Sequence, residues 1–289
     1  MSSAAPITRV TGESFNLSHK YSAILDVRAP SEYEEDHIPL AINLPVLNEE
    51  ERVQVGSMYK GQPFHARRVG AALVSRNIAS MLENFFHNKD PRTYRPLIYC
   101  WRGGQRSKAI SHILSEIGFQ CYFLEGGYKT YRKKVVQMLS EIPPQLKLIL
   151  LGGHTGAGKT IILERMKKNG DQIIDLENLS NHRGSLLGHT NGKKKLKQPS
   201  QKMFETYLVH ALSCMDPSRT VWLEAESNKI GNVHVPNVRN FIFLRNLIKY
   251  LYCQSYIYTV FMKLFFFFSF FTNTINTMAG LVVGNEDST

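Results

Sequence analysis

One octapeptide constrains the fold of this chain more than any other feature. Residues 153–160 read Gly-His-Thr-Gly-Ala-Gly-Lys-Thr, which fits the pattern G-x-x-x-x-G-K-T. The pattern requires a strand before it and a helix after it, and here the apolar run Leu146–Leu151 precedes it and the helical segment Ile161–Lys168 follows it. The sequence therefore predicts an α/β sheet with a polyphosphate site at the end of one strand.

The residues of this loop have distinct predicted roles. The ammonium group of Lys159 neutralises phosphate charge, and the hydroxyl of Thr160 is a candidate ligand for Mg²⁺. Asp175 ends a nearby apolar stretch and is a second candidate Mg²⁺ ligand, with Glu224 and Glu226 as rivals. The pattern predicts a polyphosphate ligand without identifying it. The residues predicted to bind phosphate are Gly153, Gly156, Gly158, Lys159 and Thr160.

A cysteine ends another apolar run, earlier in the chain. Leu97–Tyr99 is predicted to be a buried strand, Cys100 follows it, and a helix is predicted over Ser107–Ile117. A loop between a strand and a helix N-terminus directs several backbone N–H groups at one point, and two arginines add positive charge. This setting predicts a thiol pKa below its usual value of about 8.5, and hence a nucleophile near neutral pH. The predicted catalytic residues are Cys100, Arg102, Gly103, Gly104 and Arg106.

The other three cysteines, Cys121, Cys214 and Cys253, lack such surroundings and are predicted to be structural thiols. The chain has no C-x-x-C pair, so we expect neither a zinc site nor a disulfide framework, and we expect no bound redox cofactor. The first residues contain no apolar segment, which predicts the absence of a secretory signal and a location in the reducing cytoplasm.

Short apolar runs alternate with helical segments in the first half of the chain, which predicts a parallel sheet. Ser31 is the predicted N-cap of the first helix, and residues 49–84 are largely helical in pattern. The segment Glu141-Ile-Pro-Pro-Gln145 interrupts the alternation, because adjacent prolines disfavour both helix and sheet. The predicted strands of this half are Ser22–Val27, Ala41–Leu44, Leu97–Tyr99 and Cys121–Leu124. The predicted organisation is a first domain over 1–140, a linker over 141–145, an incomplete second domain over 146–236 and an aromatic-rich tail over 237–289.

Basic residues dominate the charge of the chain. Lysine and arginine number 35 against 24 aspartates and glutamates, and the formal net charge is +11. This balance favours an anionic partner, such as nucleic acid, a phosphorylated metabolite or an anionic membrane surface. The stretch from Ser180 to Lys202 contains six basic and no acidic residues. Contact with a nucleic-acid backbone and a solvated basic loop are both compatible with it.

The region from Asn240 to Phe271 is rich in Phe, Tyr, Ile and Leu. Only 13 uncharged residues run from Tyr250 to Met262, fewer than the roughly 20 that a membrane-spanning helix needs. Membrane contact through this tail is therefore an alternative that the sequence does not favour.

Four segments of the first half share a pattern with a known family. They are Leu25-Asp-Val-Arg28, Ser31-Glu-Tyr33, Asp36-His-Ile-Pro-Leu-Ala-Ile-Asn-Leu-Pro45 and Tyr99-Cys100. Together they resemble the rhodanese (sulfurtransferase) domain. This resemblance implies a cysteine that carries sulfur or selenium as a persulfide or perselenide, and structural roles for Asp26 and Arg28. Arg106 lies one residue further from Cys100 than in the commonest rhodanese loop, and the resulting C-x5-R spacing also resembles cysteine phosphatases and arsenate reductases.

Further segments extend the likeness across both halves. They are Glu51-Arg52, Val55-Gly56, Tyr59-Lys60, Asn181-His-Arg-Gly-Ser185, Gln198-Pro-Ser-Gln201, Phe204-Glu205 and Glu226-Ser-Asn-Lys-Ile-Gly231. With the two loops they resemble the tRNA 2-selenouridine synthase family up to about Pro236. The tail beyond that point does not resemble the family, which suggests a truncated or mis-spliced reading frame.

The resemblance implies an enzyme that replaces the sulfur of 2-thiouridine at the tRNA wobble position with selenium, through a geranylated intermediate. Selenophosphate and geranyl diphosphate are the implied co-substrates, and tRNA is the implied partner. Cys100 would carry selenium, and the loop ending at Thr160 would hold the diphosphate. The residues predicted to contact phosphate or RNA are His182, Arg183, Ser185, Lys193, Lys194 and Lys195.

Three alternative functions remain compatible with the residues. The first is a cysteine phosphatase or arsenate reductase joined to a phosphate-loop module. The second is a non-catalytic, truncated binder of tRNA or phosphate, and the third is a small-molecule kinase.

Overall fold

Two parallel sheets follow one another along the chain, so the predicted α/β fold is confirmed. The structure is a computed structural model, and it describes residues 4–15, 21–153, 159–182, 197–224, 229–236 and 249–253. The first sheet resembles the one predicted for the first half, and the second contains the strand that leads to the phosphate loop.

The first sheet has five strands in the order β1-β5-β4-β2-β3, and every neighbouring pair is parallel. The strands are β1 (Ile7–Val10), β2 (Ala23–Asp26), β3 (Ala41–Asn43), β4 (Pro96–Tyr99) and β5 (Cys121–Leu124). The helices of this domain are α1 (Pro30–Glu35), α2 (Glu49–Met58), α3 (Pro63–Asn84), α4 (Gln105–Glu116) and α5 (Gly127–Glu141). All four residues of β4 are buried, and the cysteine follows this central strand.

One local prediction for this domain was wrong. Helix α1 begins at Pro30 with Ala29 as its N-cap residue, so Ser31 lies inside the helix. Proline at the first helical position has the helical φ already and loses no hydrogen bond there, which favours the earlier start. The stretch 49–84 is largely helical, as predicted, and Pro63 begins a second helix after a turn.

The second sheet has four strands in the order β11-β6-β8-β7, again all parallel. They are β6 (Lys147–Gly153), β7 (Gln172–Ile174), β8 (Thr220–Glu224) and β11 (Lys249–Cys253). A short antiparallel hairpin lies between β8 and β11 in the chain and consists of β9 (Lys229–Ile230) and β10 (Val233–His234). The helices of this part are α6 (Lys159–Lys168), α7 (Leu176–Leu179) and α8 (Gln201–Ser213).

Part of the aromatic-rich tail belongs to this second sheet. Strand β11 lies within the predicted tail, and its residues from Lys249 to Cys253 pair with β6 from Ile149 to Gly153. Among the described residues, no helix is long and apolar enough to cross a membrane. The rest of the stretch 240–271 lies outside the described residues.

A hydrophobic cluster spans both sheets through helices α5 and α8. It includes Tyr131, Val135 and Leu139 of α5 together with Phe204 and Leu208 of α8, all of them buried. The short 3-10 turn Pro143–Gln145 leads from α5 to β6 and lies in the segment that the adjacent prolines mark.

A buried ion pair occupies the carboxyl end of the first sheet. Arg28 and Asp26 are both wholly buried, and Nε and Nη2 of the arginine donate hydrogen bonds to the carboxylate at 2.6–3.1 Å. Tyr99 at the end of β4 donates its hydroxyl to the same carboxylate at 2.7 Å. Burial by itself opposes the charge of Arg28, but the hydrogen bonds and charge of Asp26 outweigh it and raise the arginine pKa. The structural roles expected for Asp26 and Arg28 agree with these contacts.

Replacing Arg28 by alanine should destabilise the first domain by about 3–5 kcal/mol, because the Asp26 carboxylate would remain buried without its counter-charge. Urea unfolding followed by the fluorescence of Trp101, in a Trp222→Phe background, measures the change. Arg92→Ala is the matched control, because Arg92 is exposed and its loss should change stability by less than about 0.5 kcal/mol. A cost below about 1 kcal/mol for Arg28→Ala would contradict the structural importance of the pair.

Candidate functional site

Cys100 lies at the carboxyl edge of the first sheet, directly after the central strand β4. Its thiol is shielded, with 3% of the residue exposed. The backbone N–H of Gly104 and the hydroxyl of Ser107 both donate hydrogen bonds to Sγ, at 3.3 and 3.1 Å. Two donors that converge on one sulfur stabilise negative charge there, as a nucleophilic or group-carrying cysteine requires.

A turn that contains Gly127 packs against the cysteine loop and supports it. The backbone N–H of Tyr128 donates to the carbonyl of Cys100 at 2.8 Å, and that of Lys129 donates to Trp101 at 3.1 Å. Gly127 has a φ of +59°, and a Cβ placed on it would lie 2.2 Å from the Cys100 carbonyl oxygen. Local sequence does not reveal the role of this glycine, because the close approach joins segments 27 residues apart.

The two arginines of the loop have different surroundings. Arg106 forms a double hydrogen bond with Glu32, with N–O distances of 2.7 and 3.3 Å. Burial alone would raise the pKa of Glu32, but hydrogen bonds from Arg106 and the charge of its guanidinium give a net lowering. Arg102 is exposed, and among the described residues no hydrogen-bonding partner is found for its guanidinium. Arg102 is therefore the arginine of this loop that an incoming anion can reach.

The other cysteines have different surroundings. Cys121 is wholly buried in β5, and burial raises its pKa to about 12. Cys214 is exposed at the end of α8. The side chain of Cys253, on β11, lies outside the described part of the chain.

The predicted phosphate site lies at the carboxyl edge of the second sheet. Strand β6 ends at Gly153 and helix α6 begins at Lys159, so the lysine stands at a helix N-terminus. Its Nζ lies 3.8 Å from Oε1 of Glu224, which is 3% exposed at the end of the neighbouring strand β8. Gly156, Gly158 and the side chain of Thr160 lie outside the described residues.

Of the candidate metal-binding acids that the structure describes, Glu224 lies beside Lys159. The carboxylate of Asp175 caps helix α7 by accepting a hydrogen bond from the backbone of Asn178 at 2.9 Å. Glu226 lies outside the described residues. Within the described ranges, no three His, Cys, Asp or Glu residues are grouped as metal ligands.

His182 lies at the start of the predicted phosphate and RNA contacts. Its backbone N–H donates to Glu177 at 3.0 Å, and its ring lies against Gly231. Its Nδ1 is buried and, in the described part of the chain, has no hydrogen-bonding partner. The other predicted contacts, Arg183, Ser185, Lys193, Lys194 and Lys195, lie outside the described residues.

Two family comparisons match successive parts of the chain. Residues 15–134 match the family described as "Rhodanese-like domain", and residues 146–242 match "tRNA 2-selenouridine synthase AAA domain". The second match continues past Pro236, where the resemblance read from the sequence stopped.

Similar proteins agree with these two matches. A tRNA 2-selenouridine synthase from Sulfurovum sp. (strain NBC37-1) is 36% identical over 218 residues, which cover 74% of this chain and 58% of that protein. A tRNA 2-selenouridine synthase from Nitrosomonas europaea is 35% identical over 221 residues, covering 74% and 55%. The chain thus spans little more than half the length of these relatives.

One solved structure is similar to part of this chain. It is the crystal structure of the N-terminal domain of an "ATP/GTP binding protein" from Clostridium difficile 630, which is 38% identical and covers 45% of this chain and 99% of that chain. Its TM-score is 0.40, too low to support an argument about the fold.

Gly127→Ala should displace the cysteine loop and destabilise the first domain by at least about 1–2 kcal/mol. The new Cβ would be both strained at a positive φ and too close to the Cys100 carbonyl. Urea unfolding measures the loss of stability, and the rate of iodoacetamide labelling of Cys100 measures the displacement. Gly61→Ala is the control, because no heavy atom lies within 4 Å of its added Cβ. Equal behaviour of the two variants would contradict the supporting role of Gly127.

Proposed function

Over residues 15–242 the chain belongs to the tRNA 2-selenouridine synthase family, and on this premise we propose that it is an enzyme that modifies the wobble uridine of tRNA. The reaction we propose replaces the sulfur of 2-thiouridine with selenium, with selenophosphate as the donor. The observation that carries the proposal is the presence, on one chain, of a hydrogen-bonded cysteine at the end of β4 and a phosphate-loop lysine at the start of α6.

The cysteine loop suits a group-transfer role. Sulfur is polarisable, and the donors from Gly104 and Ser107 stabilise negative charge on Cys100. We assign Cys100 the role of releasing selenium from selenophosphate. Its thiolate would attack phosphorus, so that a sulfur–phosphorus bond forms and hydroselenide leaves with the electron pair of the broken selenium–phosphorus bond. Hydroselenide would then displace geranylthiol from C2 of the uridine, and water would release phosphate from the cysteine. Exposed Arg102 would attract the donor's phosphate group, because a guanidinium pairs well with phosphate oxygens.

The phosphate loop suits the activation of the uridine sulfur. In the proposed first step the 2-thio sulfur attacks C1 of geranyl diphosphate, a carbon–sulfur bond forms, and diphosphate leaves with the electron pair of the broken carbon–oxygen bond. Lys159, at the N-terminus of α6, would stabilise the charge of the departing diphosphate. The buried carboxylate of Glu224 is an oxygen ligand of the kind Mg²⁺ prefers, so Glu224 and Thr160 are the residues we assign to that ion.

The contacts of Arg106 favour selenium transfer over the phosphatase alternative. A guanidinium that is hydrogen-bonded twice to Glu32 has fewer donors left for a phosphate ester in the cysteine loop. The basic residues of the stretch 180–202 are proposed to contact the tRNA backbone, in which case binding would weaken steeply with salt. The cytoplasmic location stays a prediction that fits a tRNA substrate.

Intact-mass analysis of tRNA that contains 2-thiouridine tests the proposal. After incubation with the full chain, geranyl diphosphate and selenophosphate, we expect a sulfur-to-selenium mass shift. Cys100→Ser should abolish selenium incorporation because the nucleophilic thiol is lost. Lys159→Ala should abolish the geranyl adduct because the diphosphate loses its counter-charge. Cys214→Ser is the matched control and should leave both products unchanged.

Other outcomes point to other functions. A geranyl adduct without selenium would retain the phosphate-loop step and refute the selenium step. Hydrolysis of an aryl phosphate that is lost in Cys100→Ser would favour the phosphatase, and retention of tRNA without any mass shift would favour a non-catalytic binder.

A further inference from the structure

Helix α8 of the second domain is held against the first domain by polar contacts at its N-terminal end. Lys202 Nζ lies 2.6 Å from Oε1 of Glu35 at the end of α1, and the Ser200 hydroxyl donates to the Glu35 carbonyl. Arg132 of α5 donates one hydrogen bond to the Lys202 carbonyl at 3.1 Å and another to the carboxylate of Glu205. Arg132 therefore contacts both the backbone and a side chain of α8.

The pair formed by Arg132 and Glu205 is largely excluded from water. Their side chains are 18% and 13% exposed, compared with 40% and 49% for Lys202 and Glu35. Water screens a shielded pair less than an exposed one, and removal of one partner leaves the other charge poorly solvated. Arg132–Glu205 is therefore the stronger candidate for holding the two domains in a fixed arrangement.

On the first-domain side, the contacts continue from Arg132 to the cysteine. Nη1 of Arg132 lies 3.8 Å from Oδ2 of the wholly buried Asp36, and Tyr128 donates its hydroxyl to the same oxygen at 2.7 Å. The backbone N–H of Tyr128 holds the Cys100 carbonyl, and its ring stacks on Trp101 with the centroids 5.2 Å apart. Only Asp36 and Tyr128 separate Arg132 from the loop that carries the thiol.

On the second-domain side, the contacts continue from Glu205 towards the phosphate edge. Gln201 donates to Oε1 of Glu205 at 2.9 Å and exchanges hydrogen bonds with the backbone of His234 in β10. Gln198 likewise binds the carbonyls of Ser180 and Ile230. These segments follow β7 and β8, and β8 is the neighbour of β6, the strand that leads to the phosphate loop.

We propose that Arg132 is a positioning residue that keeps the cysteine loop in register with the phosphate site, through Glu205 on one side and Asp36 with Tyr128 on the other. The reason for this positioning rests on the proposed function, in which the same uridine must react at both sites. The geometry itself does not depend on that function. On this proposal, Cys100 takes its correct position only when the second domain is packed against the first.

Labelling of Cys100 by iodoacetamide in the full chain tests the proposal without tRNA or selenium. In a Cys214→Ser background, Arg132→Ala should raise the labelling rate about tenfold, which corresponds to about 1.4 kcal/mol of lost shielding. The increase is expected because Cys100 is shielded by a loop that Tyr128 and Asp36 support. Lys133→Ala is the matched control, since Lys133 is exposed on the same helix, and it should label at the parent rate.

Glu205→Gln separates the pair from a general effect on folding. It should also raise the labelling rate of Cys100. The labelling rate of the double variant should not exceed that of Arg132→Ala, because both changes remove the same contact. Arg132→Lys should restore part of the shielding, since lysine retains the charge but cannot bind Glu205 and the Lys202 carbonyl as a fork. If Arg132→Ala does not fold, Glu205→Gln and Arg132→Lys decide the question.

Parent labelling rates in Arg132→Ala and Glu205→Gln, with the folded state intact, would overturn the proposal. Additive effects of the two changes would overturn it as well. If the tRNA assay fails while the labelling pattern holds, the proposed function falls and the positioning role stands. If the tRNA assay succeeds, Arg132→Ala should lower kcat for selenium incorporation with KM for tRNA unchanged, and an unchanged kcat would count against the role.

Discussion

A guanidinium buried away from water organises the first domain. Placing the charge of Arg28 in the interior is costly unless it is paired and hydrogen-bonded, so its partners have to assemble together. Asp26 comes from the end of β2, the Asp36 carbonyl accepts from Nη2 at 2.6 Å after α1, and the Tyr128 ring lies 4.1 Å from the guanidinium carbon at the start of α5. Because Tyr128 also holds the Cys100 carbonyl, the position of the cysteine loop depends on the same buried charge.

The chemistry of the cysteine loop follows from backbone geometry more than from the number of nearby charges. A backbone N–H and a serine hydroxyl reach Sγ, whereas one arginine of the loop is neutralised by Glu32 and the other points to solvent. The loop can adopt this shape because Gly103 and Gly127 both take positive φ values and their backbones approach closely. A count of basic residues would have assigned both arginines the same task.

The start of helix α8 and the residues before it resemble the family in sequence, and the structure shows what they contact. The stretch Gln198-Pro-Ser-Gln201 with Phe204 and Glu205 places glutamines towards the hairpin of the second domain, the phenylalanine in the shared hydrophobic cluster and the glutamate on Arg132. One helix therefore serves both domains. Apolar burial supplies the adhesion between the domains, and the polar contacts specify how they are arranged.

Local patterns were enough to predict the alternation of strands and helices in the first half and the places of the cysteine loop and the phosphate loop, because apolar runs and glycine spacing can be read along the chain. The same patterns did not predict β1 or the strand β11 in the aromatic-rich tail. They misplaced the start of α1 and did not separate α2 from α3, where proline chemistry outweighed a capping serine and a helical pattern. The pairings that required the folded chain are those of Glu32 with Arg106, Glu224 with Lys159 and Arg132 with Glu205. These pairings join residues far apart in the chain, and a buried charge selects its partner by distance and desolvation, neither of which is written in local sequence.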